Sequence, residues 1–383
     1  MELKTGQYDV VIVGAGPAGC ACALSLKDSG LKVAMLDKST FPRDKVCGDA
    51  IPGRAIKTLT SISHEYGSAF KKFAEKFDTK STSIHYKGNV LTFEWVADAY
   101  TCTRIEFDNF LFSLVKEHTA TDIFTDTLPH SFSTNGASIS ISFKNKPDIF
   151  NTKIVIGADG AQSTVAKQLT GRILDRDHHV GSVRAYYYNV AGMEGSKTEI
   201  YFDRKFLPSY LWVFPLPGNV ANVGFGMLSS EIARRKINLK TAFHEFIAEN
   251  PLLKEKFAAA RQIGLLEGFG LPLGSGITTL SGQNFMLVGD AASLIDPISG
   301  DGIGNAMLSG KLAAAQAIRC FTENNFSDTF MSGYDATLLT AIGQELKARY
   351  RAQRSLSKMP WLLDMIFFAG RNKALKRIIQ KML

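Results

Sequence analysis

Three glycine-containing segments of this chain have the residue types and the order of a site for a nucleotide diphosphate. In the first, Gly14, Gly16 and Gly19 stand between an apolar run that predicts a strand and a small-residue run that predicts a helix. There Gly14 would permit a tight turn, Gly16 would let the backbone approach the diphosphate, and Gly19 would let helix and strand pack closely. The diphosphate would bind the free N–H groups at the start of the helix. Asp37, at the end of the next predicted strand, would accept hydrogen bonds from ribose hydroxyls.

Two later segments complete the pattern. The sequence GADG places Asp159 and Gly160 at the end of another predicted strand, although an Asp-Gly pair is also common in turns. The run GDAASLIDPISGDGIG (289–304) is more specific, because Asp290 follows a strand and could bind a ribityl hydroxyl, while proline and glycines would let the backbone approach a flavin ring. A predicted helix over 305–322 would direct its positive end towards the flavin and stabilise an anionic reduced form. Three sites in this order predict a chain folded around one FAD.

The elements that must position these segments follow from hydrophobic periodicity. They predict an α/β fold with an α+β division into two domains, a discontinuous Rossmann-like FAD-binding domain and an inserted antiparallel-sheet substrate domain, followed by a helical C-terminal tail. The expected boundaries are 1–60, 96–175 and 276–328 for the FAD-binding domain, 61–95 and 176–275 for the sheet-rich substrate domain, and 329–383 for the helical, basic C-terminal region. A hairpin is expected within 61–95. No second GxGxxG is present, so no dedicated nicotinamide domain is predicted.

Composition places the chain among ordinary globular enzymes. It has 383 residues, of which 45% are hydrophobic and 21% charged, which is enough for two or three domains with a sizeable core. The five cysteines are an odd number without a CxxC pair, so neither a disulfide framework nor a metal site is expected. No apolar run approaches the length needed to span a membrane. The apolar segment that starts at Tyr8 continues into the glycine turn and is expected to belong to the fold, so no secretory signal is expected. We therefore expect a cytoplasmic protein.

The positive charge is concentrated at the C-terminus. From Glu345 to the end, ten basic residues oppose two acidic ones, which accounts for the whole net charge of +8. The rest of the chain is neutral, which argues against a nucleic-acid partner. The tail 359–383 mixes large apolar residues with Lys and Arg. Two interpretations stay open: peripheral contact with the inner face of a membrane, or a helix that packs on its own domain with a solvated basic face.

The three segments together resemble the p-hydroxybenzoate-hydroxylase-like flavoproteins, which include aromatic hydroxylases, flavin-dependent halogenases and geranylgeranyl reductases. Two further segments are similar to the geranylgeranyl reductase branch: FPRDKVCGDAI (41–51) matches its KxCGD region, and PSYLWVFPLPGNVANVGFG (208–226) resembles its PxxYxWxFP signature, with one residue in place of two between Pro and Tyr, and the NVGxG that follows. The resemblance covers nearly the whole chain before the tail. It implies that Arg104 contacts FAD and that Cys47 lies near the reactive face of the flavin.

The residues that the motifs and the resemblance assign to FAD are Gly14, Gly16, Pro17, Ala18, Gly19, Asp37, Lys38, Cys47, Gly48, Arg104, Asp159, Gly160, Gly289, Asp290, Pro297, Gly300, Gly302 and Ile303. The residues that the resemblance assigns to a lipid cavity are Tyr210, Trp212, Phe214 and Pro215. Tyr210, Trp212 and Phe214 alternate along a predicted strand and so share one face, which from spacing alone could equally be ordinary core. Cys47 is the catalytic candidate, for positioning or for protonation, and a buried structural role is its alternative.

The chain departs from the family pattern at four positions. Asp37 stands where the wider group usually has Glu, and Ala166 replaces an arginine that follows the second segment. Ser293 and Asp301 replace a common Gly and Glu in the third segment. These departures concern the surroundings of the flavin, and FAD binding is still expected.

The resemblance implies an FAD-dependent oxidoreductase that reduces isolated C=C bonds of an isoprenoid chain of the geranylgeranyl type, by hydride from flavin N5 and a proton. Its partners would be the lipid substrate and an external electron donor. The alternative is a flavin-dependent monooxygenase, a hydroxylase or a halogenase, acting on an aromatic or lipid-like substrate. Halogenases of this group typically carry WxWxIP and an active-site lysine, whereas residues 211–215 read LWVFP. The third hypothesis is a flavin carrier or a lipid-binding module without enzymatic activity.

Overall fold

The structure, a computed structural model, describes residues 5–144, 146–193, 195–277, 279–372 and 376. Its strands are β1 (Gly6–Val13), β2 (Val33–Leu36), β3 (Ala50–Ile51), β4 (Phe77–Tyr86), β5 (Asn89–Thr101), β6 (Asp122–Phe124), β7 (Pro129–Thr134), β8 (Ile139–Phe143), β9 (Lys146–Gly157), β10 (His179–Tyr188), β11 (Lys197–Phe202), β12 (Tyr210–Leu216), β13 (Val220–Leu228), β14 (Arg261–Pro272), β15 (Ser281–Gly282) and β16 (Phe285–Leu287).

The helices are α1 (Pro17–Leu26), α2 (Gly53–Ile62), α3 (His64–Lys72), α4 (Arg104–His118), α5 (Thr164–Thr170), α6 (Ser229–Arg235), α7 (Leu239–Glu249), α8 (Pro251–Lys256), α9 (Ile303–Thr322), α10 (Asp328–Met331), α11 (Gly333–Leu338), α12 (Gln344–Lys358) and α13 (Trp361–Ala369). A π-helical turn, Leu339–Gly343, joins α11 to α12.

The first sheet carries the nucleotide-binding motifs. Its main strand order is β15-β16-β9-β1-β2-β6, and β1 pairs in parallel with both β2 and β9. Val10–Val13 are at most 3% exposed, because β1 lies between β2 and β9 in the middle of the sheet and α1 packs against it. Helices α1 and α9 pack against each other beside β1, so the first and third motifs meet at the carboxyl end of the sheet. The expected α/β fold with a Rossmann-like part is confirmed.

The second sheet has the order β14-β10-β13-β12-β11-β4-β5-β3. All its pairs are antiparallel except β11 with β4. One face is covered by α7 and α8, which pack on the apolar side chains of β10, β12 and β13. The insertion of an antiparallel sheet between pieces of the first fold is therefore confirmed.

The segment before this sheet differs from expectation. The hairpin within 61–95 is present as β4 and β5, but the residues in front of it form α2 and α3. The side chain of Phe70 on α3 is fully buried against Phe107 and Tyr100, so this helix shares the core of the FAD-binding part. The hydrogen bonds of β5 continue past residue 95 to Thr101. The proposed domain boundaries stay predictions.

The C-terminal region is helical through α13, as expected. Leu356, Leu363 and Phe367 pack on Tyr86 and Leu91 of the second sheet, on the side opposite α7 and α8. The end of the predicted tail, residues 373–375 and 377–383, lies outside the described residues. In the part of the chain that the structure describes, no helix combines the length and the apolar character needed to cross a bilayer.

Candidate active site

The turn between β1 and α1 leaves open space at its tip. Gly14 has φ +109°, and a side chain there would overlap the carbonyl oxygen of Ala158, while one at Gly19 would overlap that of Gly14. At Gly16 the nearest neighbour of a Cβ would be Arg43 Nη2, 3.6 Å away. No side chain caps the N-terminus of α1. A diphosphate therefore fits here, with free helix amides on one side and a guanidinium on the other.

Asp37 orders this turn from the neighbouring strand. Its Oδ2 accepts a hydrogen bond from the Ala15 N–H at 2.8 Å, and its Oδ1 accepts one from the Ser39 N–H at 2.8 Å. The side chain is 8% exposed, whereas the adjacent Lys38 is exposed. Each carboxylate oxygen keeps a lone pair, so ribose contact by Asp37 stays a prediction compatible with this geometry.

Asp159 has a local role that the sequence analysis missed. Its Oδ2 accepts hydrogen bonds from the N–H groups of Thr164 at 2.6 Å and Val165 at 3.2 Å, and its Oδ1 accepts one from the Ser163 hydroxyl. The carboxylate thus caps the first turn of α5, and the Ser-Thr pair after GADG was the available signal. Gly160 follows with φ +79° and open space around it.

Arg104 belongs to a buried cluster of charges. It donates to both carboxylate oxygens of Asp108, at 2.7 and 2.6 Å, and Arg43 lies 2.9 Å from the same carboxylate. Asp108 is fully buried and Arg104 is 3% exposed. The cluster joins the start of α4 to the segment before Cys47. The sequence analysis singled out Arg104 alone, although its i,i+4 spacing from Asp108 was visible.

The third motif is tied to Arg172, which follows α5, and to the segment around residue 45. Asp290 Oδ2 lies 2.9 Å from Lys45 Nζ. Burial by itself would raise the pKa of Asp290, but the nearby cations Lys45, Arg104 and Arg172 hold it below its usual value. Arg172 donates hydrogen bonds to the Ala291 carbonyl oxygen and to the hydroxyl of Ser293, one of the positions that depart from the family pattern. An ionised acceptor is therefore present where a ribityl hydroxyl is expected.

The loop 296–302 connects this motif to α9. Gly289 precedes the loop, Pro297, Gly300 and Gly302 lie within it, and Ile303 is the first residue of α9. Asp301 Oδ1 accepts from the Ile303 N–H at 3.1 Å. The Tyr210 hydroxyl donates to the Ser299 carbonyl oxygen at 2.6 Å, and Gln353 of α12 donates to that of Pro297 at 2.6 Å. The loop is thus held between the second sheet and a C-terminal helix.

The aromatic residues of β12 share one face, as their alternation predicts. The ring centroids of Tyr210 and Trp212 are 6.4 Å apart, and those of Trp212 and Phe214 are 6.5 Å apart. A Cβ at Gly48 would lie 3.5 Å from Trp212 Nε1 and 3.6 Å from the Phe214 ring, so the Cys47–Gly48 segment lies beside this face. Pro215 does not join it, because alternation turns its buried side chain to the other face.

The Cys47 thiol stays protonated at neutral pH. Burial raises the pKa of Cys47, Arg104 opposes the rise, and Asp49 adds to it. The thiol is thus a proton donor rather than a thiolate, which suits either a positioning or a protonating role. The side chain is half-buried and forms no disulfide.

Asp49 was not singled out by the sequence analysis, although it ends the CGD triplet. It is fully buried, and its Oδ2 accepts hydrogen bonds from the Tyr186 hydroxyl and from Asn222 Nδ2, both at 2.8 Å. Asn222 Nδ2 also donates to the Cys47 carbonyl oxygen at 2.7 Å, and Asn222 Oδ1 accepts from Trp212 Nε1 at 2.8 Å. Burial raises the pKa of Asp49 to about 6, although these donors lower it. In the sequence, the only indication of a role for Asn222 was its place in the NVGxG segment.

Comparison with known proteins agrees with this geometry. Residues 7–202 match the FAD binding domain family, and residues 179–268 match the geranylgeranyl reductase catalytic domain. Digeranylgeranylglycerophospholipid reductase of Methanosarcina mazei is 30% identical over 331 residues, 84% of this chain and 77% of that protein. Menaquinone reductase of Mycobacterium tuberculosis is 28% identical over 317 residues, 80% of this chain and 75% of that protein.

Two solved structures are also similar to this chain in fold. A geranylgeranyl bacteriochlorophyll reductase-like protein from Thermoplasma acidophilum superposes with a TM-score of 0.84 at 26% identity, covering 96% of this chain and 92% of that chain. The flavin-dependent brominase Bmp2 superposes with a TM-score of 0.79 at 19% identity, covering 98% of this chain and 93% of that chain. At that identity the second likeness concerns the fold alone.

Proposed function

Because this chain belongs to the geranylgeranyl reductase family of FAD-dependent oxidoreductases, we propose that it reduces isolated C=C bonds of an isoprenoid chain of the geranylgeranyl type. The observation that carries the proposal is the position of Cys47 and Gly48 against the aromatic face of β12. This arrangement places the segment that carries the Cys47 thiol next to an apolar wall, and Tyr210 of that wall contacts the loop 296–302. The reducing equivalents would come from an external donor.

Reduced FAD, when bound, supplies the hydride for one alkene carbon, and a proton must reach the other. An isolated alkene is a poor electrophile, so the chain has to deliver that proton and keep water out. The Cys47 thiol can deliver it because burial keeps the thiol protonated. The rings of Tyr210 and Trp212 can favour positive charge developing on the alkene, by ~1–2 kcal/mol in a desolvated site.

The residues that would hold FAD are distributed over the three motifs. The amides at the start of α1 and the Arg43 guanidinium would bind the diphosphate. Asp37 would bind the adenosine ribose, and Asp290 would bind a ribityl hydroxyl while Lys45 keeps it ionised. Loop 296–302 would approach the ring with glycine backbone. The individual roles of these residues are our proposal.

The decisive experiment is an anaerobic reoxidation test. The protein is purified, bound FAD is identified by absorbance, the flavin is reduced chemically, and geranylgeranyl lipids are added without oxygen. Return of the oxidised-flavin band, with a product heavier by two hydrogens per reduced bond, is the expected result. Reoxidation only with substrate and oxygen together would overturn the proposal in favour of a monooxygenase.

We further propose that α13 contacts a membrane surface. Trp361, Met365 and Phe368 are 53%, 56% and 76% exposed and lie at i, i+4 and i+7, so they form one apolar stripe facing away from the second sheet. The exposed basic residues Lys358 and Arg371 flank α13. An apolar stripe between cations matches the interface of an anionic bilayer.

Vesicle sedimentation tests this contact. The protein should sediment with phosphatidylglycerol vesicles more than with phosphatidylcholine vesicles, and replacing Trp361 and Phe368 by Ser should abolish the difference. Leu265→Ser is the matched control, because Leu265 is 80% exposed on β14, far from α13 in the chain. Equal sedimentation of the Trp361/Phe368 double variant and the unmodified protein would refute the contact.

A further inference from the structure

Asp49 joins three segments that are far apart in the chain. Through Asn222, 173 residues away, its carboxylate is linked both to the Cys47 carbonyl oxygen and to the Trp212 indole. Through Tyr186 it reaches the neighbouring strand β10. The proposed proton donor and the proposed cavity wall are therefore connected by hydrogen bonds to one buried carboxylate.

The backbone around Asp49 is as constrained as its side chain. Asp49 has φ +62°, a left-handed conformation that residues with a side chain rarely adopt. On the opposite side of the indole, any side chain at Gly224 would overlap the Trp212 ring. Trp212 is thus fixed between Gly224 and the Nε1–Asn222 hydrogen bond, and it has no room to reorient towards β13.

A carboxylate at this position is costly, which makes a purely space-filling role a poor explanation. Asp49 is fully buried, and among the described residues its Oδ1 accepts no hydrogen bond. The charged groups that face it are Arg184, which lies over the Tyr186 ring at 4.2 Å, and Arg104. A charged acceptor in a low-dielectric interior makes stronger hydrogen bonds than a neutral one, and so fixes its donors more firmly.

We propose that Asp49 is a positioning residue for the reduction, because through Asn222 it holds the Cys47 main chain and the Trp212 indole in one fixed arrangement. This inference rests on the proposed function for its kinetic consequence. It also predicts an effect on the reactivity of the Cys47 thiol, which can be measured without catalytic turnover. The groups acting on the Cys47 thiol are Arg104, Lys45 and Asp49, and of these Asp49 alone is an anion. Its charge therefore opposes ionisation of the thiol.

The test compares Asp49→Asn and Asp49→Ala in the FAD-loaded protein. The rate of Cys47 alkylation by iodoacetamide is measured against pH by peptide mass spectrometry, and kcat and KM are measured with the prenyl lipid. We expect the alkylation profile of both variants to move to lower pH. We also expect kcat to fall by about ten- to a hundredfold for Asp49→Ala, with a smaller change in KM.

Two further variants keep the test decisive. Tyr186→Phe removes one donor to Asp49 without removing the charge, so it should lower kcat less and serves if the Asp49 variants do not fold. Asp335→Asn is the matched control: its carboxylate is half-buried and accepts from Ser281, and it should change neither kcat nor the alkylation profile.

The outcomes separate this inference from the proposed function. Wild-type alkylation profiles and kcat in both Asp49 variants, or an equal fall of kcat in Asp335→Asn, would overturn the positioning role. If the unmodified protein turns over no prenyl lipid, the proposed function fails. In that case a shifted alkylation profile in Asp49→Asn still supports the inference, and an unshifted one overturns it.

Discussion

Lys45 Nζ lies 2.9 Å from Asp290 Oδ2, although 245 residues separate the two in the chain. The pair links the segment before Cys47 to the third nucleotide motif, and both partners are largely buried. Since Asp290 is the predicted ribityl acceptor, its charge and position depend on a lysine from another part of the fold. Affinity for FAD should therefore depend on a residue outside the three glycine-containing segments.

Replacing Lys45 by Met should weaken FAD binding. The substitution keeps the aliphatic stem but leaves Asp290 without its nearest cation, so the pKa of Asp290 should rise, although Arg104 and Arg172 still oppose the effect of burial. We expect the FAD dissociation constant to increase about tenfold, or ~1.4 kcal/mol, in fluorescence titrations of the apoprotein. Lys116→Met, at an exposed position of α4, is the control. An unchanged dissociation constant in Lys45→Met would argue against this role of the ion pair.

Gly16→Ala and Gly19→Ala should fail in different ways. A side chain at Gly19 overlaps the Gly14 carbonyl oxygen, so this variant should destabilise the apoprotein itself, by about 1–3 kcal/mol or more. The Gly16 position has only Arg43 nearby, so its variant should fold normally and lose FAD affinity because the methyl group takes the place of the diphosphate. Urea unfolding of the apoproteins and FAD titration separate the two effects. Equal behaviour of the two variants would contradict the assigned geometry.

Cys47→Ala should lower turnover of the prenyl lipid and retain FAD. The Cys47–Gly48 segment lies beside the aromatic face of β12 and the thiol is protonated, whereas the three glycine-containing segments that would hold most of FAD lie elsewhere in the chain. Single-turnover reoxidation under anaerobic conditions should slow by about a hundredfold, within the range of general acid catalysis. Turnover at the original rate in Cys47→Ala would show that another group supplies the proton.

Asp108→Asn should be strongly destabilising. Asp108 is fully buried between Arg104 and Arg43, and a neutral amide would leave two guanidinium groups without their counter-charge. Breaking a buried pair from one side costs about 3–5 kcal/mol. Urea unfolding at neutral pH measures the loss, with Asp126→Asn on the surface as control. A loss similar to that of the control would mean that solvent or a ligand screens the cluster.

The stability difference between the Asp49→Asn variant and the unmodified protein should depend on pH. Burial raises the pKa of Asp49 from 3.8 to about 6, so the folded state binds a proton more tightly than the unfolded state. The stability of the unmodified protein relative to the variant should therefore fall as pH rises from about 4 to 6, and stay constant above. The full change corresponds to about 3 kcal/mol. A difference that stays flat from pH 4 to 7 would contradict a raised pKa.

The parts of the fold that sequence could predict are those with a local signature. The strand before Gly14 and the helix after Gly19 were predictable because an apolar run and a glycine turn specify a βα unit within a short stretch. The alternation of the β12 aromatics likewise fixed their common face. The helices α2 and α3 were missed although Ile56 and Leu59, and Tyr66 and Phe70, have helical spacing, because each pattern is only about two turns long.

The buried polar and charged residues that support the site could not be predicted from the sequence. Asp49 and Asn222 are joined only in the folded chain, and single buried polar residues have no periodicity that would pair them. The resemblance brought Cys47 and Trp212 together, but it did not reveal the amide between them. The roles of Arg43 and Lys45 were hidden for the same reason, since each acts on a carboxylate of a distant segment.

The hydrogen bond from Gln353 to Pro297 and the ion pair of Arg349 with Asp296, 3.1 Å apart, have a consequence for biosynthesis. A ribosome makes β1 and α1 well before α12, and domains begin to fold in the order of synthesis. The loop that would face the flavin therefore emerges before the helix that fixes it. Stable binding of the cofactor would then require α12 to have been synthesised, and nascent chains that stop before α12 should bind FAD more weakly.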